Sequence, residues 1–113
     1  YANALKDFAG IFFLPEPEGF FSNRWLSCIL VDATLTNNGI AREDIRLAME
    51  KENIESRPLW KPMHLQPVFE ASDFYGDGTS EKLFKQGLCL PSGSNLTRED
   101  LNRVVTVIEK ILQ

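Results

Sequence analysis

The sequence predicts an α+β fold: a small, mostly antiparallel sheet of three to four strands with helices packed on one face. Three observations carry it. Leu101, Val104, Val105, Ile108 and Ile111 or Leu112 recur at helical spacing, as do Ile45, Ala48 and Met49. The runs Cys28-Ile29-Leu30-Val31 and Leu88-Cys89-Leu90 have the length and apolar character of strands. Strands and helices come in irregular order, and no glycine-rich βαβ turn is present. The chain has 113 residues, which suits one domain with one core.

The elements follow in order. Tyr1 to Phe8 carries Leu5 and Phe8 at helical spacing but no N-terminal cap, so it reads as the tail of a helix that starts earlier. Gly10 ends it. Ile11 to Leu14 is a short apolar strand, and Pro15-Glu16-Pro17-Glu18-Gly19 is a turn. Arg24 to Asp32 is predicted as a central strand covered on both faces, because its apolar run is continuous. Thr36-Asn37-Asn38-Gly39 is a turn. A helix follows over 41–53, with Glu43 and Asp44 in the first turn, where the helix dipole favours acids. Ile54 to Leu59 is extended. Phe74 to Gly78 is a loop rich in aromatics and glycine. Thr79 or Ser80 is expected to cap a short helix ending at Gln86, with Gly87 left-handed at its C-terminus. Pro91 stops the strand at Leu88–Leu90. Thr97-Arg98-Glu99-Asp100 resembles a capping box and opens the last helix.

Composition narrows the function. The chain is 43% hydrophobic and 25% charged, as expected of a soluble globular protein. Its formal charge of −4 argues against a nucleic-acid binder, which needs a basic face. No apolar run approaches a membrane span and no signal peptide opens the chain, so the expected location is cytoplasmic. Cys28 and Cys89 sit in apolar runs without CxxC spacing and read as reduced core residues. One histidine and two cysteines do not make a zinc site. A Cys89–His64 thiolate–imidazole pair would need a reactive thiol, and Leu-Cys-Leu is a setting for an inert one. No GxSxG, P-loop or GxGxxG occurs.

The most informative stretch is Arg57-Pro58-Leu59-Trp60-Lys61-Pro62-Met63-His64-Leu65-Gln66-Pro67. It holds half of the six prolines, one of two tryptophans and the single histidine. Proline spacing predicts a stiff, extended segment and no helix. A guanidinium, an indole, an ammonium and an imidazole along it suit an anionic ligand that contains a ring. The competing reading is an irregular loop in which Trp60, Met63 and Leu65 fill core.

Three segments together carry a resemblance: Phe21-Ser22-Asn23-Arg24-Trp25-Leu26, then Glu55 through Pro67, then Gly87-Leu88-Cys89-Leu90-Pro91-Ser92-Gly93-Ser94 with Leu96-Thr97. In this order and spacing the chain resembles the C-terminal part of the pyridoxal phosphate (PLP)-dependent nucleotide-sugar aminotransferases of the DegT/StrS family. The branch it looks like makes UDP-4-amino-4,6-dideoxy-N-acetylhexosamines. The resemblance implies that residues 1–113 are the small C-terminal domain of a fold type I enzyme, with 1–8 the end of the linking helix. It implies a separate large domain that carries PLP, a homodimer, and a nucleotide-sugar substrate destined for surface polysaccharide or glycan. It also implies that this chain alone neither binds PLP nor transaminates, because the family's PLP lysine motif is absent from it. Residue by residue, Arg57 and Lys61 match positions for charge partners of a phosphate or carboxylate. Trp60 matches a pocket wall, and His64 a hydrogen-bond donor to sugar or phosphate. The related PLP-dependent sugar dehydratases and a stand-alone binding module are the alternatives. If a large domain covers one face, Phe12, Phe13, Phe20, Phe21 and the inner side of Leu5 and Phe8 should form an exposed apolar patch.

Overall fold

The structure, a computed structural model, describes all 113 residues. Four strands form one antiparallel sheet: β1 (Ile11–Phe13), β2 (Ser27–Val31), β3 (Arg57–Pro58) and β4 (Gly87–Leu90), in the order β1-β2-β4-β3. Four helices accompany it: α1 (Ala2–Leu5), α2 (Arg42–Lys51), α3 (Thr79–Gln86) and α4 (Arg98–Leu112). The predicted α+β class is observed.

Strand alternation decides which face is covered. Ile11, Phe13, Ile29, Val31, Leu88 and Leu90 share one face by register, because Ile11 opposes Val31 and Ile29 opposes Leu88. There they meet Leu5, Ile45, Met49, Val104, Ile108 and Leu112 in a single core. Cys28, Leu30, Cys89, Phe12 and Arg57 share the other face. Phe12 is exposed and Cys28 and Leu30 are half-buried. The central strand is therefore covered fully on one side only. The run Cys28–Val31 looked continuous because the partly open face also carries apolar residues.

Several local expectations change. Arg24 takes a left-handed backbone (φ 52) and the chain bends at Trp25–Leu26, so the strand begins at Ser27. The proline-rich segment is extended only as far as Pro62. Met63–Leu65 and Pro67–Phe69 are single 3-10 turns: Pro62 directly precedes the first, and Pro67 opens the second, a position a proline fits as readily as an extended strand. Gly78, left-handed, caps α3 in place of Thr79 or Ser80. The Asp77 carboxylate accepts the Thr79 N–H at 3.0 Å. Gly87 is not left-handed. It lies in β4 with φ −86, and a Cβ there would collide with the Leu59 side chain and the Leu83 carbonyl. Leu5 is fully buried in the core and belongs to no exposed patch.

Other local expectations hold. The Thr97 hydroxyl accepts the Asp100 N–H at 3.1 Å, while the Asp100 carboxylate accepts the Thr97 N–H at 2.9 Å. That reciprocal pair starts α4. The Asp44 carboxylate accepts the Ala41 N–H at 2.8 Å, but alanine returns no bond, so α2 has half of such a box. Asn53, left-handed just past α2, lets the Ile54 N–H reach the Met49 carbonyl at 2.9 Å.

Candidate functional site

A groove of about 850 Å3 opens where β2 begins, β4 ends and β3 forms the sheet edge, under the N-terminal half of α4. Trp25, Trp60, Arg57, Pro58 and Cys89 line it from the sheet side, and Arg103 from the helix. Trp25 and Trp60 face each other at its mouth with ring centroids 6.3 Å apart and planes tilted by 35°. They are 72% and 68% exposed, so two large indoles stand in water next to an apolar hollow. The bend at Arg24 aims Trp25, and the rigid Pro58 and Pro62 hold Trp60 between them.

The charges around this groove nearly cancel. The Arg57 guanidinium donates to the Glu55 carboxylate at 2.7 Å, with both side chains exposed. Arg103 donates to the backbone carbonyl of Glu52, and Asp100 is engaged in the α4 cap. The Ser56 hydroxyl lines the groove yet is buried without a partner. An anion at Arg57 would have to take the place of Glu55, an exchange that costs little because exposed ion pairs are worth at most about 1 kcal/mol.

His64 lies in a second cluster. Its Nε2 is 2.6 Å from Glu81 Oε1, on α3, and its ring stacks on Phe74 at 3.5 Å between centroids. An ionised carboxylate only accepts, so Nε2 carries the hydrogen and Nδ1 is the nitrogen left for a ligand. Hydrogen bonds from its own backbone N–H and then from His64 hold the Glu81 carboxyl below the usual range. Lys61, between the two clusters in sequence, is exposed and joins no ion pair.

Of the four residues selected from sequence, Arg57 and Trp60 therefore share the groove. His64 lies against Phe74 of the Phe74–Gly78 loop, and Lys61 is exposed to solvent. Trp25 and Glu81 received no role from sequence. Trp25 stood in one of the three resembling segments and could have been singled out as an apolar ring beside a turn. Glu81 carried no signal, because its meeting with His64 depends on how α3 packs. Cys89 has Cys28 as its sulfur neighbour and His64 has Glu81, so no thiolate–imidazole pair forms.

Pyridoxal phosphate needs a lysine in a pocket that can dock its ring and phosphate. All six lysines of this chain (6, 51, 61, 82, 85 and 110) are exposed, and none lines the groove. The residues present do not fit that cofactor.

The chain is 45% identical over 112 residues to the putative pyridoxal phosphate-dependent aminotransferase EpsN of Bacillus subtilis (strain 168), covering 96% of this chain and 28% of that protein. It is 30% identical over 71 residues to the GDP-perosamine synthase of Caulobacter vibrioides, covering 63% of this chain and 19% of that one. Among solved structures it superposes on a DegT DnrJ EryC1 StrS aminotransferase from Brucella abortus with a TM-score of 0.77 and 25% identity, over 98% of this chain and 28% of the other. The aminotransferase TlmJ from Streptoalloteichus hindustanus shares the fold, with a TM-score of 0.81 at 18% identity over 96% of this chain and 28% of that one. The chain spans less than a third of the length of these relatives. Residues 1–109 match the DegT/DnrJ/EryC1/StrS aminotransferase family, and the chain belongs to that family.

Proposed function

We propose that residues 1–113 act as the C-terminal small domain of a PLP-dependent sugar aminotransferase. The substrate is a 4-keto-6-deoxy nucleotide sugar of the UDP-linked N-acetylhexosamine type. On this reading a large domain of the same polypeptide holds PLP, two copies pair, and the enzyme works in the cytoplasm on precursors of surface polysaccharide or glycan. No helix of this chain is long and apolar enough to cross a membrane. The observation that carries the reading is the groove wall of Arg57 and Trp60, in a chain 45% identical to a putative PLP-dependent aminotransferase.

PLP supplies the electron sink for moving the amino group, and this chain contributes the wall that binds and orients the sugar nucleotide. Trp60, with Trp25 opposite, offers a flat apolar face to a ring. Arg57 exchanges Glu55 for a ligand anion, and Lys61 adds a free ammonium nearby in sequence. His64, held by Glu81, presents Nδ1. That nitrogen accepts a sugar hydroxyl when the imidazole is neutral and donates only when it is charged. This differs from a plain donor role for His64.

The test uses the full-length polypeptide loaded with PLP. With glutamate and a UDP-linked 4-keto-6-deoxy-N-acetylhexosamine, mass spectrometry should detect the 4-amino product. Arg57→Ala and Trp60→Ala should raise KM for the nucleotide sugar by about tenfold, one lost charged or stacking contact each. A PLP-loaded enzyme that aminates no 4-keto-6-deoxy nucleotide sugar would sink the assignment. Elimination of a hydroxyl without amination would identify a dehydratase.

A further inference from the structure

Cys28 and Cys89 are direct partners across β2 and β4, and their sulfurs are 3.7 Å apart. They are the two cysteines of the chain and both are free thiols. Residues directly opposed in an antiparallel pair have Cα atoms about 4.5–5.5 Å apart and side chains on the same face. A disulfide accepts Cα separations of about 4.4–6.8 Å. The backbone spacing is thus already compatible, and side-chain rotation has to bring the sulfurs to about 2.05 Å. The pair is reached from two sides. Cys89 lines the groove beside Arg57, its register partner on β3, and half-buried Cys28 lines a second hollow of about 560 Å3 near Phe13 and Arg24.

We propose that Cys28 and Cys89 form a reversible cross-strand disulfide when the folded chain meets a low-molecular-weight disulfide such as oxidised glutathione. The more accessible sulfur reacts first. The Cys28 thiolate attacks the glutathione disulfide, forms a mixed disulfide and releases one glutathione. The Cys89 thiol then loses its proton and attacks the Cys28 sulfur, expelling the second glutathione. Two protein thiols are oxidised, one disulfide is reduced to two thiols, and the count of hydrogens balances. Burial, together with the neighbouring Cys28 sulfur, pushes the Cys89 thiol up to about 11, which makes the second attack the slower one. The product is a covalent tie across the two central strands, in the same row as Arg57.

The experiment equilibrates the folded chain with glutathione redox buffers, quenches it with acid and digests it with trypsin. Cleavage after Arg24, Arg42, Lys85 and Arg98 places the two cysteines in peptides 25–42 and 86–98. The expected result is a linked 25–42/86–98 pair, two hydrogens lighter than the sum and split by reductant. The same peptides report the bond in any longer polypeptide carrying this sequence. The effective concentration of the two thiols should exceed that measured in urea by at least about tenfold, because folding has already closed the loop between them. Cys89→Ser should stop the reaction at a glutathione adduct on Cys28. An effective concentration no higher than in urea, adducts without the linked pair, or bonds only between chains would each overturn the proposal.

Discussion

The two faces of the sheet contain similar residues and use them differently. On the helix side, Ile29, Val31, Leu88 and Leu90 are covered by Ile45, Met49, Val104 and Ile108, and nearly every apolar side chain is out of water. On the other side and along its rim, Phe12, Phe20, Phe21, Trp25 and Trp60 stand largely in solvent. Phe13 and Phe8, expected with them, turn partly onto the core. Aromatic content alone therefore does not tell core from rim. What separates them is whether a helix with matching periodicity exists to cover the face. A rim with this many exposed rings is suited to being covered by a further surface.

The comparison can be broken by substitution. Ile108→Ala or Leu88→Ala, at fully buried positions, should lower unfolding free energy by about 2–5 kcal/mol in denaturant titrations. Trp60→Ala should change it by no more than about 0.5 kcal/mol, as expected for an exposed side chain. Equal losses from both kinds of change would erase the distinction. An intermediate effect is expected at the start of α4, where Thr97→Ala removes the cap and should cost about 1 kcal/mol.

Acid should sharpen the contrast by acting on the rim and loops while sparing the core. Asp32, Asp77, Asp100 and Glu81 are all held below their ordinary values, chiefly by hydrogen bonds from Thr34, Thr79, Thr97 and the Glu81 backbone respectively. A carboxyl depressed in the folded state contributes stability above its unfolded pKa and loses it as pH falls through the folded one. Unfolding midpoints should thus be flat above about pH 5 and decline from about pH 4.5 downward. Asp100→Asn should make that decline shallower. A midpoint that rises on acidification would contradict the assignment. The smallest expected effect is optical. Both indoles should be quenched readily by acrylamide and emit at long wavelength, and in the full-length protein that emission should shift to the blue if the rim is covered.

The core was legible because it rests on periodicity. The spacing of Leu101 to Leu112 and the unbroken apolar runs around Ile29 and Leu88 are properties of the chain itself. The capping box at Thr97 was legible for the same reason: both partners lie within one turn. The misses depended on contacts between distant segments. By sequence Gly87 is a helix terminator, but in β4 its lack of a side chain makes room for the Leu59 side chain. Proline spacing predicts a uniformly extended stretch, yet Pro62 precedes one 3-10 turn and Pro67 opens another. The site was half legible. Arg57 and Trp60 share the groove, while Trp25, which faces Trp60 there, and Glu81, which holds His64 in the second cluster, come from other segments of the chain.

The sheet's two outer strands carry a further consequence. β1 is three residues long and is followed two positions later by Pro15, and β3 is two residues long and includes Pro58. A proline has no N–H to offer an incoming strand, and so short a ladder gives a newcomer little to pair with. The exposed rings nearby invite association through side chains. The backbone beside them refuses to propagate a sheet. Molecules of this chain that meet through the aromatic rim should stop at small, discrete assemblies, so a sticky aromatic surface comes without the hazard of fibril growth.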